Sequence, residues 1–234
     1  MRERRLSSPD RPLSEDLGSQ APDDGCADLL KTLFPRPVGA ASARLGDAIH
    51  PLFPGEEVFV ANAVHKRRRE FAVGRFCARR ALLQIGFAPI AIPSAPDRSP
   101  IWPAGAVGSI SHDASLCVAV AAKGCDFRSI GVDIERIGAV SGELADMVLR
   151  PDERFGPAEQ QAGDADWLTL HFCLKEAAYK AFYPLCRQII DFQAMRIGLA
   201  PAQGHFEAST TIPGAPSFAG RYALSGGQIF AVAW

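Results

Sequence analysis

The chain has 234 residues, enough for one large domain or two small ones packed together, and either arrangement can bury a sizeable core. Its 47% hydrophobic and 22% charged composition is that of an ordinary globular protein, and a formal net charge of −1 excludes a global attraction to nucleic acid or to an anionic membrane. Any anion site must be local. The six cysteines show no CxxC spacing and no clustering with the five histidines, so they read as reduced, structural residues rather than zinc ligands. No apolar run approaches the roughly 18 residues of a membrane span. The N-terminus lacks the apolar stretch of a secretory signal, which makes the cytoplasm the expected compartment.

Residues 1–26 are rich in Arg, Ser, Pro and Asp and poor in large apolar residues, and read as a mobile tail outside the fold. Ordered structure is expected from Ala27–Phe34 and from the apolar run Leu52–Val60. Ala61–Leu83 holds good helix formers, one internal Gly74 and no proline, with Gly86 and Pro89 beyond, and predicts a long helix. A proline-rich connection, IPSAPDRSPIWPAG, leads to two predicted strands, Ala106–Ile110 and Leu116–Ala122, on either side of the polar turn SHDAS. A further strand is expected at Ser129–Ile134, a second helix from about Trp167 to Phe182, ending before Pro184, and a closing strand in GGQIFAVAW. SLCVAVAA and QIFAVAW each follow a long helix, so the chain reads either as two similar halves packed face to face or as two unrelated strands of like composition.

Three groups of residues could carry chemistry. In GVDIE, Asp133 and Glu135 are two apart on a strand and so share a face, where two carboxylates repel unless a hard divalent cation lies between them. The plainer reading is a strand end with two solvated acids. In LKEAAYK, Glu176 and Lys180 are one helical turn apart, which fits either a surface ion pair or an acid and a cation that serve a metal and a phosphate. The third is the basic stretch from His65 to Arg80. At about 100° per residue Arg68, Arg75 and Arg79 fall in one wedge with Arg67 nearby, a set suited to a phosphate or merely to a solvated face. The strand entering the turn at Ser111 and His112 adds a possible phosphate contact.

Read in order, KRRREFAVGRFCARRAL at 66–82, SPIWPAGAVGSISH at 99–112, GVDIE at 131–135 and LKEAAYKAFYPL at 174–185 resemble the 4′-phosphopantetheinyl transferase superfamily. The resemblance is to its longer Sfp-type branch and the enterobactin synthase component D subgroup, and it spans most of the chain. It implies an α+β fold of two similar halves related by a pseudo-twofold, each a helix on a small, mainly antiparallel sheet. The halves would comprise residues 27–128 and 129–234, with coenzyme A in the cleft between them. It further implies that Asp133, Glu135 and Glu176 hold magnesium, and that Glu176, directly or through a bound water, helps to remove the proton of a carrier-protein serine. Lys180 would contact the pyrophosphate and stabilise the leaving phosphate, and Asp133 would share in binding coenzyme A. Arg67 and Arg75 would bind its 3′-phosphate and the phosphate beside it, Ser111 and His112 its nucleotide phosphates, and Arg98 would lie in a nucleotide-binding stretch. Many relatives carry a basic residue just before that arginine; this chain has Asp97.

The implied reaction moves phosphopantetheine from coenzyme A to a serine of an apo acyl or peptidyl carrier protein and releases adenosine 3′,5′-bisphosphate. The subgroup points to nonribosomal peptide, polyketide and siderophore carriers, and an internal cleft points to a monomer. Two rival readings use the same residues: a metal-dependent nuclease or nucleotidyl transferase, in which the basic helix follows a nucleic-acid backbone, and a non-enzymatic basic-helix interaction module. The near-zero net charge weighs against nucleic acid as a partner.

Overall fold

In the strand Leu116–Lys123 all residues but the last are buried, so the usual alternation of apolar and polar is replaced by an alternation of size. Leu116, Val118, Val120 and Ala122 enter one core, while Cys117, Ala119 and Ala121 enter another beneath a helix. Small residues let the helix approach the sheet closely; the larger ones fill the opposite face.

The computed structural model describes residues 24–46, 50–154, 164–200 and 204–234. Among them the helices are α1 (Asp24–Leu33), α2 (His65–Gln84), the single turn α3 (Ala145–Val148) and α4 (Asp164–Cys186). The strands are β1 (Gly39–Arg44), β2 (Ala106–His112), β3 (Leu116–Lys123), β4 (Gly131–Arg136), β5 (Met195–Ala200), β6 (His205–Thr210), β7 (Phe218–Ser225) and β8 (Gln228–Ala233). They form a three-stranded sheet in the order β1-β3-β2 and a five-stranded sheet in the order β4-β8-β7-β6-β5, both antiparallel throughout. Helix α2 covers β1 and β3, and α4 covers β4 and β8. The outer faces of both sheets are thus roofed by a helix. Their inner faces, with α1, share a core of Val118, Val120, Val132, Ile134, Phe230 and Val232.

The expected two-half α+β architecture is therefore present, and the register shows how closely the halves repeat. Ala121 of β3 lies between Gly39 and Gly108; Ala233 of β8 lies between Gly131 and Gly220. A Cβ on Gly39 would come within 1.9 Å of the Ala81 carbonyl oxygen of α2, and one on Gly131 within 1.9 Å of the Ala177 carbonyl oxygen of α4. In each half the strand under the helix begins with a glycine because the helix backbone leaves no room for a side chain.

The repetition extends to buried ions. Arg79 Nη1 of α2 donates to both Glu56 oxygens at 2.9 and 2.8 Å, and Glu56 also accepts from the backbone N–H of Phe53 and of Ile92, each at 2.8 Å. Lys175 Nζ of α4 donates to Glu153 Oε2 at 2.6 Å, and Glu153 accepts from the N–H of Arg150 at 2.9 Å and of Ile197 at 2.8 Å. In each half a carboxylate before the long helix ties that helix to a segment three residues upstream and to one beyond it. Lys175 has two further acceptors, the carbonyls of Val148 and Phe192, at 2.7 and 3.0 Å.

Several boundaries differ from the sequence reading. Residues 1–23 of the expected tail lie outside the described residues, while Asp24–Cys26 already belong to α1. Helix α2 starts at His65 rather than Ala61, after an extended Val64. Helix α4 does not stop before Pro184 but runs through it to Cys186. The proline falls in the last turn, where it forfeits a single backbone hydrogen bond. No helix among the described residues is long and apolar enough to cross a membrane.

Buried His171 of α4 makes a stability prediction. Burial pushes its imidazole down to about 4 from an ordinary 6.5, against the opposing pull of Glu153. Between those values the unfolded chain binds the proton and the folded chain does not, so stability rises with pH through this window and is lost as pH falls from 6.5 towards 4. Urea denaturation of the wild-type protein should show an acid-dependent loss between pH 7 and pH 5 about 2 kcal/mol larger than in His171→Gln; parallel pH profiles would contradict it.

Candidate active site

The two sheets meet where β2 lies beside β4, and the sequence GSISH explains the seam. Ser109 and Ser111, two apart on β2, both face β4: Ser109 Oγ accepts from the Val132 N–H at 3.1 Å, and Ser111 Oγ donates to Asp133 Oδ1 at 2.7 Å. On β4, Val132 and Ile134 enter the shared core, so Gly131, Asp133 and Glu135 take the opposite face, under α4. Lys180 on α4 then reaches down between the halves, and its Nζ donates to Asp133 Oδ1 at 2.6 Å and to Ser111 Oγ at 2.9 Å. Three residues far apart in sequence close one polar cluster.

The acids feel one another. Burial, reinforced by the charge of Asp133, pushes Glu135 up to about 7, with smaller contributions from Asp113 and Glu176. Glu176 is raised by its own burial and by Asp133, while Lys180 opposes both shifts. Burial works against the ammonium of Lys180, but Asp133 and Glu176 outweigh it and hold the charge in place. Asp133 Oδ2 is buried and has no hydrogen-bond partner. Asp133, Glu135, Glu176 and Lys180 thus lie near enough to influence one another's charge. The acids are not gathered into a shell: among the described residues no group of three or more His, Cys, Asp or Glu could hold a metal ion.

The cationic side differs more from the sequence reading. Arg67, 49% exposed, and His112, 33% exposed, both approach the Glu70 carboxylate at 3.8 Å. Arg67 and Arg98 border a cavity of about 460 Å³. Arg75 does not line it. Its Nε donates to the Ile92 carbonyl at 2.6 Å, its Nη2 to Ser94 Oγ at 2.8 Å, and its guanidinium lies over the Phe71 ring. Burial lowers Arg75 to about 10, against the pull of Glu56, which leaves it charged at neutral pH. Of the predicted wedge, Arg68 is exposed but Arg75 and Arg79 are buried, so the three do not form one solvent-facing basic surface. Arg75 holds the start of the 94–100 loop, and Arg67 and Arg98 are the guanidiniums that this cavity offers to an anion.

A larger cavity, about 570 Å³, lies between the halves, with Arg98, Trp102 and Ser109 on one wall and Tyr179, Lys180 and Tyr183 on the other. Glu176 borders a third, of about 240 Å³, together with Tyr179 and Phe192. The buried pairs Arg79–Glu56 and Lys175–Glu153 escaped the sequence reading. Only the position of Lys175 beside Glu176, and of Arg79 inside the apolar stretch of α2, hinted that these cations face inward.

In this two-half α+β fold, Arg98 and Lys180 on facing walls of the cleft, with the buried Asp133 behind the lysine, are groups of the class found in enzymes that handle phosphate-rich substrates. Residues 55–122 match the family model of the 4′-phosphopantetheinyl transferase N-terminal domain, and residues 129–226 that of the 4′-phosphopantetheinyl transferase superfamily. The chain is 36% identical over 192 residues to 4′-phosphopantetheinyl transferase Svp of Streptomyces mobaraensis, covering 78% of each protein. It is 35% identical over 228 residues to 4′-phosphopantetheinyl transferase Npt of Nocardia iowensis, covering 86% of this chain and 97% of that one. Enterobactin synthase component D of Escherichia coli K12 is 37% identical over 123 residues, 51% of this chain and 57% of the relative. The chain belongs to the 4′-phosphopantetheinyl transferase superfamily.

Proposed function

We propose that the Ser111–Asp133–Lys180 cluster at the seam between the halves is the reacting centre of a phosphopantetheinyl transfer from coenzyme A to a carrier-protein serine. As a member of its family the enzyme takes coenzyme A as substrate and acts on carrier proteins. The observation that carries the site assignment is Lys180 Nζ at 2.6 Å from a buried Asp133, between two halves that each contribute one wall of the cleft.

The chemistry follows from the residues. A serine hydroxyl is a poor nucleophile at neutral pH, and the pyrophosphate of coenzyme A repels anions. Glu176, whose pKa burial raises, is a stronger proton acceptor than an exposed glutamate and takes the hydroxyl proton as the serine oxygen attacks the β-phosphorus. The bond to the bridging oxygen breaks in line, and adenosine 3′,5′-bisphosphate departs with the electron pair. Lys180, held charged by Asp133, stabilises the charge that grows on the departing phosphate. Arg67, Arg98 and His112 bind the nucleotide phosphates away from the reacting bond, which positions the substrate.

The unpartnered, buried Asp133 Oδ2 is an oxygen of the kind that a hard divalent cation takes, and Glu135 and Glu176 would have to draw in around it to complete a site, since the three acids as they stand do not form one. Magnesium held there by Asp133, Glu135 and Glu176 would neutralise and orient the pyrophosphate. We place the division between the halves near Arg128 and read the protein as a cytoplasmic monomer with no nucleic-acid partner. Likeness to enterobactin synthase component D favours carriers of nonribosomal peptide and siderophore synthesis, with polyketide carriers as further substrates.

Incubation with coenzyme A, magnesium and a panel of apo carrier proteins, followed by weighing of each carrier, tests the reading. At least one carrier should gain one phosphopantetheine mass; unchanged mass across carriers from all three pathways would overturn it.

A further inference from the structure

Asp97 departs from the basic residue that the family resemblance places there, and the structure shows what it does instead. Its Oδ1 accepts from the Ser99 N–H at 2.9 Å and from Ser99 Oγ at 2.6 Å, which fixes the tip of the 94–100 loop. Its Oδ2 accepts from the Tyr183 hydroxyl at 2.5 Å and lies 3.6 Å from Arg187 Nη1. Tyr183 lies in the last turns of α4, and Arg187 directly follows it. One carboxylate therefore joins the first half to the second across the mouth of the 570 Å³ cleft that all three residues line.

Two further observations tie this contact to the substrate. Arg98, next in the chain, has φ +70, a left-handed conformation that a non-glycine residue adopts only when its neighbours impose it. Its neighbours do so: the Arg98 N–H donates to the Ala95 carbonyl at 2.8 Å, and the Ala95 N–H to the Ser99 carbonyl at 2.8 Å. Held there, Arg98 borders both the cleft and the 460 Å³ cavity that contains Arg67. The loop is anchored at its base by Arg75 on Ser94, at 2.8 Å, and at its tip by Asp97 on Tyr183. Hydrogen bonds from Ser99 and Tyr183 hold the Asp97 carboxyl down to about 2, so the contact is ionised throughout the neutral range.

We propose that Asp97, Tyr183 and Arg187 form a latch between the two halves that sets the width of the cleft and aims Arg98 at the anionic nucleotide end of coenzyme A. Asp97 is a positioning residue: its charge is satisfied by Tyr183 and Arg187, so it spares the substrate phosphates the repulsion of a free carboxylate, and it acts on them through Arg98. This rests on the assignment of the cleft to coenzyme A.

The test is initial-rate kinetics with varied coenzyme A and a saturating apo carrier. Tyr183→Phe removes only the hydroxyl and should raise KM for coenzyme A about two- to tenfold, the range of an exposed charge-assisted contact, with a smaller effect on kcat. Asp97→Ala should raise KM at least as much. The double variant should be no worse than Asp97→Ala alone, because both substitutions break one contact. An unchanged KM in Tyr183→Phe, or effects that multiply in the double variant, would overturn the latch. Arg98→Ala separates the two readings, since Arg98 lines the cleft itself: if it raises KM while the latch variants do not, the cleft assignment stands and the latch falls, and if it also leaves KM unchanged the cleft assignment falls.

Discussion

Lys180→Met should lower kcat by about 100- to 1,000-fold, the loss that follows removal of one preorganised donor from a developing oxyanion. Lys180 Nζ is 2.6 Å from Asp133 Oδ1 and 2.9 Å from Ser111 Oγ, so the ammonium is already oriented before substrate arrives. Methionine keeps the length of the side chain and removes the charge. The substitution also leaves Asp133, 4% exposed, without its cation, so the fold of the variant is checked by circular dichroism before its rate is read. Lys180→Arg should recover only part of the rate, because a planar guanidinium cannot take the place of a point charge between Ser111 and Asp133. Single-turnover transfer to an apo carrier measures both, and a Lys180→Met enzyme within tenfold of wild type would remove Lys180 from the mechanism.

Lys175→Met should cost about 3–5 kcal/mol of stability, although Lys175 touches neither cleft nor substrate phosphate in this account. The cost arises because Glu153, 2% exposed, would be left as a buried carboxylate without its cation. Changing Glu153 to Gln as well removes the stranded charge and keeps a carbonyl acceptor for one of the two N–H groups, those of Arg150 and Ile197, which Glu153 binds through separate oxygens. Lys175→Met/Glu153→Gln should therefore be more stable than Lys175→Met alone. Urea denaturation of the three proteins checks the order; a double variant less stable than Lys175→Met would contradict the account. The matching pair in the other half, Arg79 and Glu56 at 1% and 0% exposure, should respond in the same way. These pairs fix how each long helix is rotated on its sheet, and in the second half that rotation places Glu176 and Lys180 towards Asp133.

How much of this was legible in the sequence depends on whether burial or pairing made the signal. The strands β3 and β8 stand out because they are apolar on both faces, β4 because Val132 and Ile134 alternate with Asp133 and Glu135, β2 because it runs into the polar turn SHDAS, and α2 and α4 because they are long. The remaining strands do not. β1, GAASAR, is built of small residues that carry no strand preference, and β5 and β6, MRIGLA and HFEAST, expose alternate residues at the open edge of the sheet. Asp133 with Glu135, and Glu176 with Lys180, were readable as two pairs because each spacing is local, two apart on a strand and four apart on a helix; that the pairs belong to one site was implied only by the family resemblance. The fate of the arginines was not, since α2 carries basic residues on its buried side as well as its exposed side. Periodicity places Arg75 and Arg79 in one wedge with Arg68; only the partners Ile92, Ser94 and Glu56, brought in by tertiary structure, show that Arg75 and Arg79 point inward.

In the proposed mechanism Asp133, buried at the seam of the two halves, organises the reacting groups. Asp133→Asn preserves the size of the side chain and an acceptor for Ser111 and Lys180 while removing the charge. The decisive measurement is the mass of an apo carrier after incubation with coenzyme A, magnesium and this variant, whose fold is first checked by circular dichroism. The carrier should remain unmodified over a time in which the wild-type enzyme converts it fully; conversion at close to the wild-type rate would contradict the account.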